Sequence, residues 1–431
     1  MTIGTSLLEI KPGDLLSMPG VRLVVLRGPD KGRALRLEKE EVVVGSAPTA
    51  DLQLADETVS RSHISLRVTP AGYLLTDLDS TNGTLVDERR IKSVFVTLGD
   101  KIDLGKTRLR LEGAREPVDL ALSKAESFGH YLGRSIAARR LFATLEQVAP
   151  RDVTVLLLGE SGTGKDTIAE SLHEASPRKK GPFVILDCGA ISPGLMESEL
   201  FGHERGAFTG AHTSRPGAFR EAHKGTLFLD EVGELPKELQ PKLLRAIDKR
   251  EVKPVGGAHP IPVDVRIIAA TNRDLKLDVN RGLFREDLFY RLNVVSLRMA
   301  PLRERPDDIP LLATHFWRVF TRDPEARLPD EFLEPLLAHS WPGNVRELKN
   351  RVERAATLDA HLEITNAKKL GEESFREAKN VAVDTFERTF LTSLLARAGG
   401  NLSEAARQAQ MDRVYLTRLL RKHGLRGTPK A

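Results

Sequence analysis

Residues 153–166, VTVLLLGESGTGKD, constrain this chain more than any other stretch. An apolar, strand-forming run enters a loop with three glycines and leaves it into KDTIAESLHEA, which has helical spacing. Gly159, Gly164 and Lys165 stand in the register G-x-x-x-x-G-K. The glycines let backbone amides close around phosphate oxygens, and the helix N-terminus and Lys165 supply a positive field. The loop Gly159, Glu160, Ser161, Gly162, Thr163, Gly164, Lys165 and Asp166 is therefore the expected nucleotide site, for ATP with Mg²⁺. Asp166 stands where Ser or Thr usually follows the lysine, and its carboxylate could approach Mg²⁺ directly or through water. A strand feeding a helix through such a loop requires an α/β fold with ligands at the carboxyl edge of its sheet.

Two further buried strands are expected downstream. GTLFLDEV ends in Asp230, placed to hold Mg²⁺, and Glu231, placed to orient attacking water. VDVRIIAATNRDL ends in Thr271 and Asn272, and Asn272 could hold the water or the γ-phosphate. GLFREDLFYRLNVV then offers Arg285 and Arg291, cations of the kind that stabilise a transferring phosphoryl group. Each of these residues also has an ordinary reading, as a strand end, a turn or a surface arginine.

The ATPase-like pattern does not account for the whole chain. Its 431 residues suggest several domains. Residues 21–113 read as short strands (VRLVVL, EVVVG, ISLRV, YLLTDL, KIDL and RLRLE among them) separated by Gly, Pro, Asp and Asn turns, which points to an all-β sandwich. Residues 1–20 precede it and 114–128 read as a linker. The α/β segment spans 129–300, a helical segment 301–370, a second linker 371–380 and a helical tail 381–431. The chain carries a formal +5, and from Asn380 onward nine basic residues face four acidic ones, so the tail accounts for that excess. A basic terminal module on a near-neutral body points to nucleic acid, or to a solubilising tail. The one cysteine, Cys188, excludes an internal disulfide and fits a reducing cytoplasm, and the start MTIGTSLLEIKPGD lacks the pattern of a secretory leader. The apolar runs are too short to span a bilayer.

Between the nucleotide loop and LFLDE lies GAFTGA: Gly206, Ala207, Phe208, Thr209, Gly210 and Ala211. Burying phenylalanine is favourable, yet here it is offered on a segment that glycines make mobile.

Together, GESGTGKD, ESELFGHERGAFTGA, GTLFLDEVGELP, PVDVRIIAATNRDL, LFREDLFYRLNVV and WPGNVREL resemble the bacterial enhancer-binding proteins, AAA+ ATPases that activate sigma-54 RNA polymerase. The resemblance covers residues 131–370. It implies a ring, hexameric in the family pattern, with ATP between subunits. Asp230, Glu231 and Asn272 match the Mg²⁺-binding acid, the water-activating acid and the first sensor. Arg285 and Arg291 match fingers given in trans, Arg346 the lid sensor, and 206–211 the sigma-factor contact. Where the family has Asn-Cys, with the Asn restraining the catalytic Glu, this chain has Asp187-Cys188, so an acid would repel Glu231 where an amide would bond it.

ETVSRSHISL and DLDSTNGTLV resemble the forkhead-associated (FHA) domain, which implies a phosphothreonine peptide on Ser60, Arg61, Thr81 and Asn82, with a Ser/Thr kinase as the source of the signal. His63 is expected to hold the loops together. Ser46 replaces a usual arginine, and Arg61 is the base placed to compensate. The competing expectation is a sandwich that docks on its own ATPase without phosphate. The tail, GGNLSEAARQAQMDRVYLTRLLRKHGL, reads as a helix-turn-helix with its turn near Gln410 and resembles the Fis-type module, which implies double-stranded DNA contacted by Arg413, Thr417, Arg418, Arg421 and Lys422. Phe386, Phe390 and Leu394 are a candidate dimer seam. The reading is an ATP-driven, sigma-54-dependent activator. The alternatives are a DNA-bound regulator that uses ATP only to set its oligomeric state, and a phosphopeptide adaptor with a degenerate ATPase.

Overall fold

The computed structural model describes residues 9–11, 15–18, 20–39, 41–69, 72–114, 116–358, 391, 394, 402–409, 411 and 413–422. The end of the expected lid beyond 358, the linker at 371–380, Phe386, Phe390 and Gln410 lie outside the described residues. One compact unit comprises residues 1–333 and 341–361, and a second comprises 334–340 and 362–431.

The first unit opens with a β-sandwich. One sheet has six strands in the order Arg89–Ile91, Thr84–Val86, Lys101–Leu104, Thr107–Gly113, Val21–Arg27 and Ala34–Arg36. The other has five, in the order Ser93–Val96, Gly72–Asp77, Ile64–Thr69, Glu41–Gly45 and Leu52–Gln53. The two-residue period sorts the side chains: Val21, Leu23 and Val25 point inward from one strand, and meet Val42, Val44, Ile64 and Leu66 of the facing sheet.

Residues 114–128 are more structured than a linker. Strand Val118–Ala121 pairs antiparallel with Leu15–Met18, and Glu9–Lys11 adds a third strand. Leu122 is buried in the sandwich core, and Ile136, the first residue of helix Ile136–Val148, packs against the same core. This join is therefore bolted to the sandwich by apolar contacts, and Arg139 Nε donates to the Ser123 carbonyl at 2.7 Å.

The α/β part is an all-parallel sheet in the order Phe183–Asp187, Thr226–Asp230, Arg266–Thr271, Val155–Leu158 and Val295–Arg298. Its central strands are apolar throughout because helices cover both faces. Leu227, Leu229, Ile267 and Ala269 join one core, whereas Phe228, Ile268 and Ala270 join the other. Helices Asp308–Thr321, Asp330–Ala338 and Asn344–Leu358 follow. In the second unit, helices Leu402–Gln408 and Arg413–Lys422 bury Ala405, Ala406, Leu416 and Leu420 with Leu391 and Leu394. Among the described residues no helix is long and apolar enough to cross a membrane.

Candidate nucleotide-binding site

The loop 159–164 leaves the edge of strand Val155–Leu158 and enters helix Lys165–Glu174. Gly162 and Gly164 take φ of +77° and +94°, a conformation in which a side chain would be strained. Thr163 Oγ1 donates to the Glu160 carbonyl at 2.8 Å, which closes the loop on itself. Lys165 is buried, and its Nζ donates to the Gly159 carbonyl at 3.1 Å and lies 3.6 Å from Glu231 Oε1. The lysine thus spans the gap between the loop and Glu231. Asp166 is exposed in the first turn of the helix.

Parallel pairing brings Asp187 and Asp230 side by side in register. Glu231 follows in a left-handed backbone, φ +48°, and its Oε2 accepts the Asn272 amide at 3.0 Å. A non-glycine residue held there is strained, and such strain clusters at functional sites. Burial, with the Glu231 and Asp187 carboxylates adding to it, pushes the Asp230 carboxyl above its usual range. Burial first, then the same acids, push the Cys188 thiol up to about 12. Asp187 does not simply face Glu231: its Oδ1 accepts the amides of Gly189 and Ala190 at 2.8 and 3.2 Å, so it caps its own turn.

The lid fastens to the loop through Arg346 and through neighbours that no motif singles out. Val345 and Arg346 amides donate to the Gly162 carbonyl at 2.9 and 3.3 Å. Arg346 Nη1 donates to Ser161 Oγ at 2.9 Å. Asn344, fully buried, donates from Nδ2 to Glu160 Oε2 at 3.1 Å and to the Ser161 carbonyl at 3.0 Å. Arg303 grips both Glu160 oxygens, at 2.8 and 2.5 Å, and holds that carboxyl down at about 2. The only sequence signal for Asn344 and Arg303 was the family string around Arg346 and a charged PLRERP turn, neither of which says that they converge on Glu160. A cavity of about 770 Å³ opens beside Glu160, Ser161, Asn272, Gly343 and Arg346, large enough for a nucleotide.

The structure does not bring Arg285 and Arg291 to this cavity. Arg285 forks onto Asp287 at 3.0 and 2.7 Å, and Arg291 Nε lies 2.7 Å from Asp248 Oδ1; both side chains are about half exposed.

Residues 206–211 stand on a short stalk where Gly202–His203 pairs with Arg215–Pro216. Gly206 donates to the Ala211 carbonyl at 2.8 Å and closes the tip. Gly206 and Gly210 have φ of +80° and +102°, and a Cβ on either would meet nothing, so conformation alone calls for glycine there. Thr209 is exposed; Phe208 keeps 39% of its surface in solvent, with its ring edge-on to His203 at 5.0 Å.

At the sandwich end, the Thr81 amide donates to Ser60 Oγ at 3.0 Å, and Asn82 Nδ2 donates to the Thr58 carbonyl at 2.8 Å. His63, wholly buried, accepts the Ser60 amide on Nδ1 at 3.0 Å and reaches the Gly83 carbonyl from Nε2 at 3.3 Å, so it pins the two loops. Gly45 is required beside them, since a Cβ would lie 1.9 Å from the Arg61 carbonyl. In the second unit, Thr417, Arg418 and Lys422 are exposed and Arg418 stacks over Tyr415 at 5.2 Å. Arg413 and Arg421 lie on the same helix.

A glycine loop, paired acids at the sheet edge and a lid arginine on the loop define a P-loop ATPase of the AAA+ class. Residues 131–298 match the sigma-54 interaction domain, 303–384 the AAA+ ATPase lid domain, and 24–115 the cytoplasmic domain of the inner membrane component of T3SS. The transcriptional regulatory protein GlrR of Escherichia coli K12 is 46% identical over 302 residues, covering 68% of this chain and 67% of its own. The transcriptional regulatory protein ZraR of Salmonella typhimurium is 44% identical over 332 residues, covering 75% and 74%. The crystal structure of NtrX from Brucella abortus in complex with ATP superposes with a TM-score of 0.50 at 36% identity, covering 68% of this chain and 69% of that one. The chain belongs to the sigma-54-dependent transcriptional regulators. It is a nucleotide-binding ATPase and a transcriptional activator with an amino-terminal β-sandwich domain.

Proposed function

We propose that ATP and Mg²⁺ occupy the 159–166 loop at the junction of two copies in a ring, and that hydrolysis drives residues 206–211 against the sigma-54 polymerase closed complex. The observation that carries this is the tip itself: Phe208 and Thr209 presented on a stalk outside the ATPase sheet, where the fold has no use for them. The acid cluster fits a divalent cation, because burial and the Glu231 and Asp187 carboxylates hold Asp230 above its usual range, even though the Glu231 amide and Lys165 oppose them. Asp230 and Asp166 would hold Mg²⁺, which would neutralise phosphate charge. Lys165 is positioned for the phosphates, Glu231 to orient water, Asn272 to sense the γ-phosphate and Arg346 to close the lid. Arg285 and Arg291 act on the neighbouring copy. Helix Arg413–Lys422, through Arg413, Thr417, Arg418, Arg421 and Lys422, binds double-stranded DNA, and Ser60, Arg61, Thr81 and Asn82 receive a phosphothreonine peptide. A regulator that used ATP only to set its oligomeric state would need no such tip.

The test is open-complex formation with sigma-54 polymerase, promoter DNA and ATP. Thr209→Ala should hydrolyse ATP and open no promoter; Glu231→Gln should bind ATP and do neither. Promoter opening by Thr209→Ala at the unmodified rate would refute the proposal.

A further inference from the structure

The two turns that carry Ser60, Arg61, Thr81 and Asn82 also face residues 276–286 of the ATPase. Arg61 Nε donates to Glu286 Oε1 at 2.9 Å, and its second nitrogen pairs with the other Glu286 oxygen. Asn280 Nδ2 donates to the Ser62 and Leu78 carbonyls at 2.7 and 2.8 Å. Arg281 holds Asp79 Oδ2 through two nitrogens at 2.8 and 2.6 Å, and Lys276 reaches Glu41 at 3.2 Å. Glu286 is the neighbour of Arg285. Just beyond, a cavity of about 230 Å³ has Glu41 and Arg67 on the sandwich side and Glu160 and Asn272 on the nucleotide side.

Among the described residues, the hydrogen bonds of Ser60, Thr81 and Asn82 stay within the sandwich, so the docked ATPase takes up the guanidinium of the phosphate-binding surface with a carboxylate and leaves its hydroxyl and amide groups uncovered by such bonds. We infer that Glu286 is an internal stand-in for the phosphate, and that a phosphothreonine peptide and the docked sandwich compete for Arg61. This rests on the phosphothreonine reading above and goes beyond it, because it ties peptide binding to the arginine-bearing segment 285–291. A phosphate carries more charge and more acceptors than a carboxylate and makes the stronger guanidinium pair. Glu286 has the advantage of being tethered, at a high local concentration. The exposed ion pairs contribute little each; the two Asn280 bonds, half-buried, give the docking its register. Competition makes the linkage reciprocal: what weakens docking must tighten peptide binding by the same factor.

The test uses the full chain and a degenerate phosphothreonine peptide pool, with the unphosphorylated pool as control, read by fluorescence anisotropy. Asn280→Ala combined with Arg281→Ala leaves every proposed phosphate contact in place and should tighten binding about tenfold. Lys276→Ala, on a separate contact, should tighten it by a smaller factor. In the unmodified protein, saturating peptide should speed amide hydrogen exchange across 276–286. Equal affinity in the unmodified and double-variant proteins would overturn the competition and leave phosphothreonine binding standing. No binding by either protein would overturn the phosphothreonine reading, and the competition with it.

Discussion

Asn344→Ala is the sharpest test of how the lid is held to the nucleotide loop. Asn344 is fully buried with φ +53°, and makes three side-chain bonds: to Glu160, to the Ser161 carbonyl, and from the Leu302 amide at 2.8 Å. Losing three bonds costs about 1 kcal/mol each. Alanine adds about 1 kcal/mol in the left-handed region, which asparagine tolerates better. The expected loss is therefore about 3–4 kcal/mol, allowing for water that enters the gap. Asn344→Gly loses the same bonds but suits the backbone, so it should cost about 1 kcal/mol less than alanine. The protein itself supplies the assay. Its two tryptophans, Trp317 and Trp341, both lie at the lid, so intrinsic fluorescence in urea follows this region alone. A shift below about 1 kcal/mol for alanine, or a glycine variant no milder than alanine, would refute the reasoning.

Three further outcomes follow from the same geometry. Glu160 is held at about 2, against 4.5 ordinarily, chiefly by Arg303. A depressed carboxyl stabilises the fold above its unfolded value and loses that contribution as pH falls toward the folded one; with 42% of the side chain exposed, about 1 kcal/mol is expected at stake. Tryptophan fluorescence should thus show lid stability falling below about pH 4.5 in the unmodified protein, and Arg303→Ala should flatten that dependence. Asp187→Asn removes one of the charges that raise Asp230, so the pH below which Mg²⁺-dependent ATPase activity fails should move down; an unmoved acid limb would show that burial alone sets Asp230. Arg418→Ala and Arg421→Ala should weaken DNA binding in gel-shift assays while leaving ATPase activity unchanged, and the loss should shrink at higher salt, because the variants release fewer counterions.

Local pattern carried much of this architecture. The strand EVVVG is a strand over Glu41–Gly45, and the apolar runs before the glycine loop and before Asp230 are the central strands of the sheet. These were legible because alternation and apolar runs respond to neighbours a few residues away. Pairing across long separations was not. Val118–Ala121 finds its partner at Leu15–Met18, about a hundred residues earlier, and nothing within PVDLALS marks that. Likewise Asn344, Arg303 and Glu160 meet only because the lid folds back over the loop, and Arg61 and Glu286 are separated by 225 positions. The acid at 187 was visible, but its turn-capping role was not: a carboxylate two residues before a glycine amide has a local partner that a motif comparison overlooks.

That local partner bears on how a site without the usual amide could still reach the loop tip. Asp187 holds the amides of Gly189 and Ala190, and a Cβ on Gly189 would lie 3.8 Å from the Glu231 Cβ, so the turn after Asp187 rests against Glu231. The turn leads into helix Pro193–Phe201, which ends in Gly202–His203, the stalk strand. Ser198 on that helix lies 2.7 Å from His203 Nδ1, and the His203 ring supports Phe208. The helix is short, its core contacts are Met196, Leu200 and Phe201, and its other end is free of side-chain caps. A charge change beside Glu231 therefore acts on a turn held by a carboxylate and a glycine, and the next packed element along the chain carries the stalk. An acid at 187 puts a negative charge beside Glu231 and Asp230, so a cation and phosphate bound at Asp230, as proposed above, would change the charge that the turn faces. On this reasoning Asp187→Asn should leave residues 206–211 in place and change how sharply promoter opening depends on Mg²⁺.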